Sequence, residues 1–299
     1  MSRGVGIILV AYGHILLGHF LSSPPAWVTA QATLIYAFHM PLFFMLSGLF
    51  LWSSIGRDGF LASRGTQLIY PYLLWSLVTV TLEIALAPYV NSPLSVREAL
   101  LIPFVPLEQF WFLYALLVCQ MVVFIAYPRM WLILPLALLG LGVLALVGGE
   151  WIVIRSFLYL PFVALGIFGK SAFDRLSCAS PRHQIFVAVI SWAIFAALWF
   201  SETNLILLLG ATGSIGTVAL AMLGAQSKAL ATLGRASLAI YLLHTIFSAG
   251  TRIGLGWFGL PPTSIASVAL SLIAGIALPY AVWVLAKRHN RLGTLGLGT

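Results

Sequence analysis

Charge is what this sequence has least of. Only 7% of its 299 residues are Asp, Glu, Lys or Arg, where a soluble domain carries roughly 25%. So little charge cannot cover a chain with a water-compatible surface, which excludes a soluble globular protein. Cysteine is nearly missing too. Cys119 lies in an apolar run and Cys178 in a polar stretch, so neither a disulfide framework nor a zinc site is to hand, and no metal is called for. No internal repeat of the kind that builds transporter halves and no low-complexity linker interrupts the sequence. The chain therefore reads as a single integral-membrane domain over 1–299. Acidic residues are fewer than basic ones, 7 against 15, for a net charge of +8. A nucleic-acid partner would need a clustered basic face on a soluble module. Here the cations stand singly between apolar runs, which points to membrane topology and to no nucleic acid.

What is present in quantity is hydrocarbon. Hydrophobic residues make up 61%, and mean hydropathy is +1.06. Runs such as "WLILPLALLGLGVLALVGG" exceed the roughly 18 residues that mark a membrane span. Ten apolar segments are discernible, near 4–22, 33–53, 68–89, 110–127, 131–149, 152–170, 184–200, 205–226, 229–250 and 263–287. Without water to satisfy the backbone each must be helical, so the expected fold is all-α and polytopic. With the N-terminus in the cytoplasm, twelve of the 15 Lys and Arg residues fall inside and Arg97, Arg155 and Arg252 outside. That asymmetry follows the positive-inside rule and places both termini in the cytoplasm, in a multi-pass protein of the cell (inner) membrane. The first run has no small-residue cleavage site after it and reads as a retained helix rather than a removed signal peptide. Residues 54–67 form a cytoplasmic connection, and residues 90–109 an outer one that is either a lid or a re-entrant hairpin.

The polar residues inside these runs carry the functional reading. In "RGVGIILVAYGH" eleven residues separate Arg3 from His14. A helix advances about 16 Å over that stretch and returns to within about 20° of the same face. Arg3 then sits at the cytoplasmic interface and His14 near the midplane, where an ionisable side chain lines a cavity by default. The alternative is a packing histidine bonded to a neighbouring carbonyl, with Arg3 a topology charge. In "YAFHMPLFFMLSGLF" His39 lies about 9 Å below the outer surface, Pro41 frees backbone groups, and Ser47 and Gly48 read as a packing notch. In "LGRASLAIYLLHTIF" His244 reaches the outer third, with Tyr241 three residues before it. Trp111 in "EQFWFLYALL" is either an interfacial belt residue or a wall of an acceptor pocket. Glu83 either orients a histidine or binds a polar acceptor, with pairing to Arg97 as the structural alternative.

Taken together, these stretches resemble the acyltransferase-3 family of membrane-bound acyltransferases, within it the branch of fucose acetylase-like proteins. The resemblance rests on Arg3-x10-His14, "FHMPLFFMLSG", Arg64 before "LIYPYLLW", "FWFLYALL" and "LGRASLAIYLLH", which come in that order over residues 3–247. Gln67 stands where that family often has a second basic residue. The resemblance implies an O-acetyltransferase. Its donor would be cytoplasmic acetyl-CoA, a substrate rather than a tightly bound cofactor. Its acceptor would be a hydroxyl of a carbohydrate, glycolipid or envelope glycan reached from the membrane or the outer side. Membrane lipids are the remaining partners. Arg3, Arg57 and Arg64 suit the phosphates of acyl-CoA, while His39, His244, Glu83 and Trp111 suit the acceptor. His14, between the two, is the expected general base, a covalent acyl-histidine being the mechanistic alternative. A transporter or exporter of a polar solute or glycan is the competing class. A basic inner mouth leading to a midplane histidine on the same face suits a CoA better than most cargo.

Overall fold

The computed structural model describes residues 1–21, 23–91, 96–149, 151–201, 205–224 and 227–298. Among them there is helix and no strand, as the backbone of an apolar chain in lipid requires. The α-helices in chain order are α1 (Ser2–His19), α2 (Ala26–Tyr36), α3 (His39–Leu51), α4 (Phe60–Arg64), α5 (Tyr70–Ala85), α6 (Val96–Leu101), α7 (Trp111–Ala126) and α8 (Ile133–Val147). They continue with α9 (Ile152–Ser156), α10 (Leu160–Cys178), α11 (Pro181–Phe200), α12 (Ile206–Leu223), α13 (Lys228–Arg235), α14 (Ser237–Trp257) and α15 (Ile265–Arg288).

Among the described residues, eight helical stretches are long and apolar enough to cross a membrane. Each of the ten apolar segments read from the sequence coincides with a helix, and the two outside the eight are α1 and α7. Helix α7 has 16 residues, and α1 carries Arg3, His14 and His19 within its 18. Several boundaries differ from the sequence reading; the ninth segment, for one, is α13 and then α14, which runs on to Trp257. The second apolar segment breaks at residues 37–38, because Pro41 withholds the N–H that would bond Ala37. Phe38 then takes a non-helical φ of −135° as the cap of α3. The third begins earlier than its apolar run: α4 passes into a π-helical turn, Gly65–Ile69, and then into α5. Half of the expected cytoplasmic connection is thus helix.

The chain divides into two compact units: residues 1–2, 37–69 and 108–227, and residues 3–36, 70–107 and 228–299. In the first unit α3 and α10 touch backbone to backbone. A Cβ on Gly48 would collide with the carbonyl of Val163, and one on Gly166 with that of Met45. Small residues that let backbones close up are how helices associate in lipid, where apolar burial gives no preference. The notch read at Ser47 and Gly48 is this contact. Against Gly213 and Gly216 of α12, Phe38, Trp192 and Phe195 pack edge-on, with centroids 5.1–5.7 Å apart. Large apolar side chains on α8 and α11, among them Leu138, Leu146, Phe186 and Val189, face outward, as lipid contact demands.

In the second unit Leu16, Phe20 and Val28 form a core that Tyr12 and Val268 flank. The chain's last turn hooks onto α5. Tyr70 donates through its hydroxyl to the carbonyl of Thr294 at 2.6 Å and Trp75 through Nε1 to that of Leu295 at 2.9 Å, and Leu297 is buried. Of the outer connection, residues 92–95 lie outside the described residues. Its later part includes α6, and Tyr72 ties the end of that helix to α5 through the carbonyl of Ile102.

Candidate active site

Two of the predicted histidines meet in the second unit. His14 on α1 and His244 on α14 lie edge-on, ring centroids 5.1 Å apart and planes at 66°. Both are anchored in the same way. His14 Nδ1 is 3.0 Å from the carbonyl of Val10, and His244 Nδ1 is 2.8 Å from that of Tyr241. A carbonyl only accepts, so Nδ1 carries the hydrogen in both rings, and in the neutral imidazole Nε2 keeps its lone pair. His244 is fully buried, and its Nε2 has no hydrogen-bond partner among the described residues. His14 is only half-buried, with the Tyr36 ring 6.0 Å away. In His14 one nitrogen thus anchors the ring to the helix, and in the neutral imidazole the other keeps its lone pair.

The N-terminal end of α1 is fixed by its glycine. Gly4 packs so closely on α13 that a Cβ would strike the carbonyl of Leu230, and Gly234 of α13 lies against Arg3 and Gly4. Arg3 itself is exposed. This contact sets it beside the segment that carries Arg235, whose Nη2 donates to Thr232 Oγ1 at 3.0 Å. Both histidine helices thus have a cation at the same end. The sequence reading passed over Arg235, although the signal was there: Arg235 precedes His244 by nine residues as Arg3 precedes His14 by eleven. Glu83 lies on α5 of this unit, in helical register with Ser76 and Thr79. Those two hydroxyls, equally passed over, are buried and have no hydrogen-bond partner among the described residues.

In the first unit Arg64 ends α4 at the π-helical turn, a local irregularity that recurs at functional sites. Its Nη1 donates to Gln120 Oε1 at 3.1 Å and its Nη2 to Ser63 Oγ at 3.1 Å. Gln120 Nε2 in turn donates to Ser47 Oγ at 3.0 Å. The guanidinium also lies over the Phe60 ring, 4.9 Å from its centroid. All these partners are neutral, and Arg64 Nε is buried with no acceptor among the described residues. A fixed cation with neutral neighbours is what an anionic ligand requires. Gln120 was not foreseen, because a glutamine in an apolar run gives no pattern of its own. Arg57 sits exposed in the turn before α4. His39 is the first residue of α3 and fully buried. Trp111 opens α7 and packs on Tyr159 at 5.3 Å, with Arg155 over its ring at 5.9 Å.

The family described as "Acyltransferase domain" matches residues 1–284. Among curated proteins, Nodulation protein NolL of Sinorhizobium fredii is 28% identical over 211 residues, 67% of this chain and 55% of that protein. Nodulation protein NolL of Mesorhizobium japonicum is 35% identical over 88 residues, 28% of this chain and 24% of that protein. The chain thus spans about half or less of the length of the curated relatives it matches. No solved structure matches. With the family match running from residue 1 to residue 284 and apolar helices long enough to span a bilayer, the chain is a multi-pass membrane protein that belongs to the acyltransferase-3 family.

Proposed function

We propose that the protein moves an acetyl group from acetyl-CoA, entering from the cytoplasm, to a hydroxyl of a carbohydrate or envelope glycan. The whole of 1–299 acts as one catalytic domain in the inner membrane, with ten crossings and both termini cytoplasmic. The observation that carries the reading is His14: a half-buried imidazole whose Nε2 keeps its lone pair, on a helix that has Arg3 at its other end. His14 Nε2 takes the proton of the acceptor hydroxyl as that oxygen bonds to the thioester carbonyl carbon. The tetrahedral adduct then expels the CoA thiolate, which recovers the proton from Nε2. The products are an O-acetyl ester and free CoA thiol.

Arg3, Arg64 and Arg57 bind the donor phosphates by charge-assisted hydrogen bonds. The neutral surroundings of Arg64 support its part in this. His244 offers a second imidazole acceptor one ring away from His14, matching neighbouring hydroxyls on a sugar. His39, Glu83 and Trp111 complete the acceptor side.

The test is incubation of the purified full-length protein with acetyl-CoA and a panel of alkyl glycosides, monitoring thiol release and the acetyl mass gain together. Both signals should appear with at least one glycoside and vanish in His14→Ala. Acetyl-CoA turnover with no acetylated product from any glycoside, or none at all, would overturn the reading.

A further inference from the structure

A second buried polar cluster lies in the same three helices, and the chemistry proposed above does not use it. His19, the last residue of α1, is buried. Its Nδ1 donates to the carbonyl of Ile15 at 2.8 Å, which leaves Nε2 to accept from Ser271 Oγ of α15 at 3.1 Å. One turn earlier on α15, Ser267 is fully buried, and its Oγ has no hydrogen-bond partner among the described residues. The register of the helices brings in Arg252. Gly275 of α15 faces the carbonyl of His244 and the side chain of Ser248 on α14, and it also meets Ile15 of α1. The two long helices are antiparallel. One turn further along, Ser271 faces His19, and Arg252 of α14 comes level with Ser267 and Ser271. The charge of Arg252 reaches His19. Arg252 is half-buried, and no carboxylate pairs with it among the described residues.

The three helices therefore carry polar groups at three levels. Arg3 and Arg235 stand at one end and the His14–His244 pair in the middle. His19, Ser271, Ser267 and Arg252 lie about 7 Å beyond the pair, five residues further along α1. An unpaired guanidinium beside an unused buried hydroxyl is a donor set without an acceptor, at the end of the helices where a lipid presents its headgroup. We propose that Arg252 and Ser267, beside the His19–Ser271 pair that walls the place, form a seat for a phosphoester anion. The acceptor would be lipid-linked, its phosphate held here while a hydroxyl of the attached sugar extends inward to His14. The part concerning the acceptor rests on the acyl-transfer reading; the anion seat itself does not.

The experiment separates the two. Dodecyl phosphate is titrated against the full-length protein in a neutral detergent, with inorganic phosphate in parallel, and binding is read by tryptophan fluorescence and thermal shift. Dodecyl phosphate should bind the wild type. Arg252→Gln should weaken it by about 10- to 100-fold and Ser267→Ala by about 3- to 10-fold, while Arg97→Gln leaves it unchanged. Arg252→Lys, which keeps the charge without the fork, should fall between and guards against a glutamine variant that does not fold. Equal loss in Arg97→Gln, or no loss in both Arg252 variants and Ser267→Ala, would overturn the seat. Source is decided in nanodiscs: competition by phosphatidylglycerol over phosphatidylcholine assigns the seat to bilayer lipid, and its absence to a carrier lipid. Inorganic phosphate binding as tightly as dodecyl phosphate would assign it to free phosphate. In turnover with acetyl-CoA, Arg252→Gln should raise KM about 10-fold or more for a sugar on an alkyl phosphate and not for the same sugar as a neutral alkyl glycoside. No turnover by the wild type with either acceptor would sink the acyl-transfer reading and leave the binding result to stand or fall alone.

Discussion

Replacing His14 and His244 in turn by alanine should separate chemistry from packing, because two rings 5.1 Å apart differ in burial. In His14→Ala the lost hydrogen bond ran to the carbonyl of Val10. That carbonyl also accepts the backbone N–H of residue 14 within the helix, so no buried acceptor is stranded. With the ring only half-buried, the expected stability loss is about 1 kcal/mol. The rate should fall by about 10²–10⁴, the usual contribution of a general base, or about 3–5 kcal/mol of barrier. His244→Ala removes a fully buried ring and leaves a cavity, at a cost of about 2–4 kcal/mol. The assay is single-turnover acetyl transfer in nanodiscs beside thermal melts with and without acetyl-CoA. His14→Ala should melt near the wild type, still be stabilised by acetyl-CoA, and transfer almost nothing. A well-folded His14→Ala protein with a near-normal rate would refute the assignment, as would a rate loss that merely tracks the folded fraction.

Arg64→Ala should raise KM for acetyl-CoA about 10- to 100-fold, a loss of about 1.5–3 kcal/mol, with the acceptor KM little changed; equal shifts in both would return Arg64 to a structural role in the Ser47–Gln120 network. Gly48→Leu, forced against the carbonyl of Val163, should lower the melting temperature and the yield of folded protein far more than Gly250→Leu, where nothing stands in the way of a Cβ. Matching losses in the two variants would show that the α3–α10 contact is not what the side chain breaks. Tags at both ends should be shielded from protease added to intact cells, given twelve Lys and Arg residues against three; removal of the C-terminal tag would rule out the proposed topology.

What the sequence made legible was whatever depends on hydrocarbon and helical period. The ten apolar segments each overlap a helix, and the Arg3–His14 spacing lies within one helix because nothing in residues 3–14 interrupts it. The meeting of His14 with His244 was not legible, since it depends on how α1 and α14 pack across more than 200 intervening residues. Helix ends near charges were misread for a related reason. Arg57 and Arg64 end an apolar run, but Gln120, Ser63 and the Phe60 ring accommodate Arg64 within a continuing helix. The break before His39 was not foreseen within the segment 33–53, although Pro41 marks it, because proline disrupts the turn preceding itself.

The division of the chain into interleaved segments bears on how the protein is made. The unit that holds His14 is assembled from residues 3–36, 70–107 and 228–299. At about 5–20 residues per second, the ribosome delivers His244 roughly 10–50 s after His14. Throughout that interval α1 sits in the membrane with His14 and His19 lacking the neighbours that α14 and α15 later bring. A nascent chain stopped between residues 64 and 244 therefore holds all three arginines proposed for the donor side and no histidine pair. On the proposed mechanism, premature release should yield an inert membrane protein rather than a partly active one.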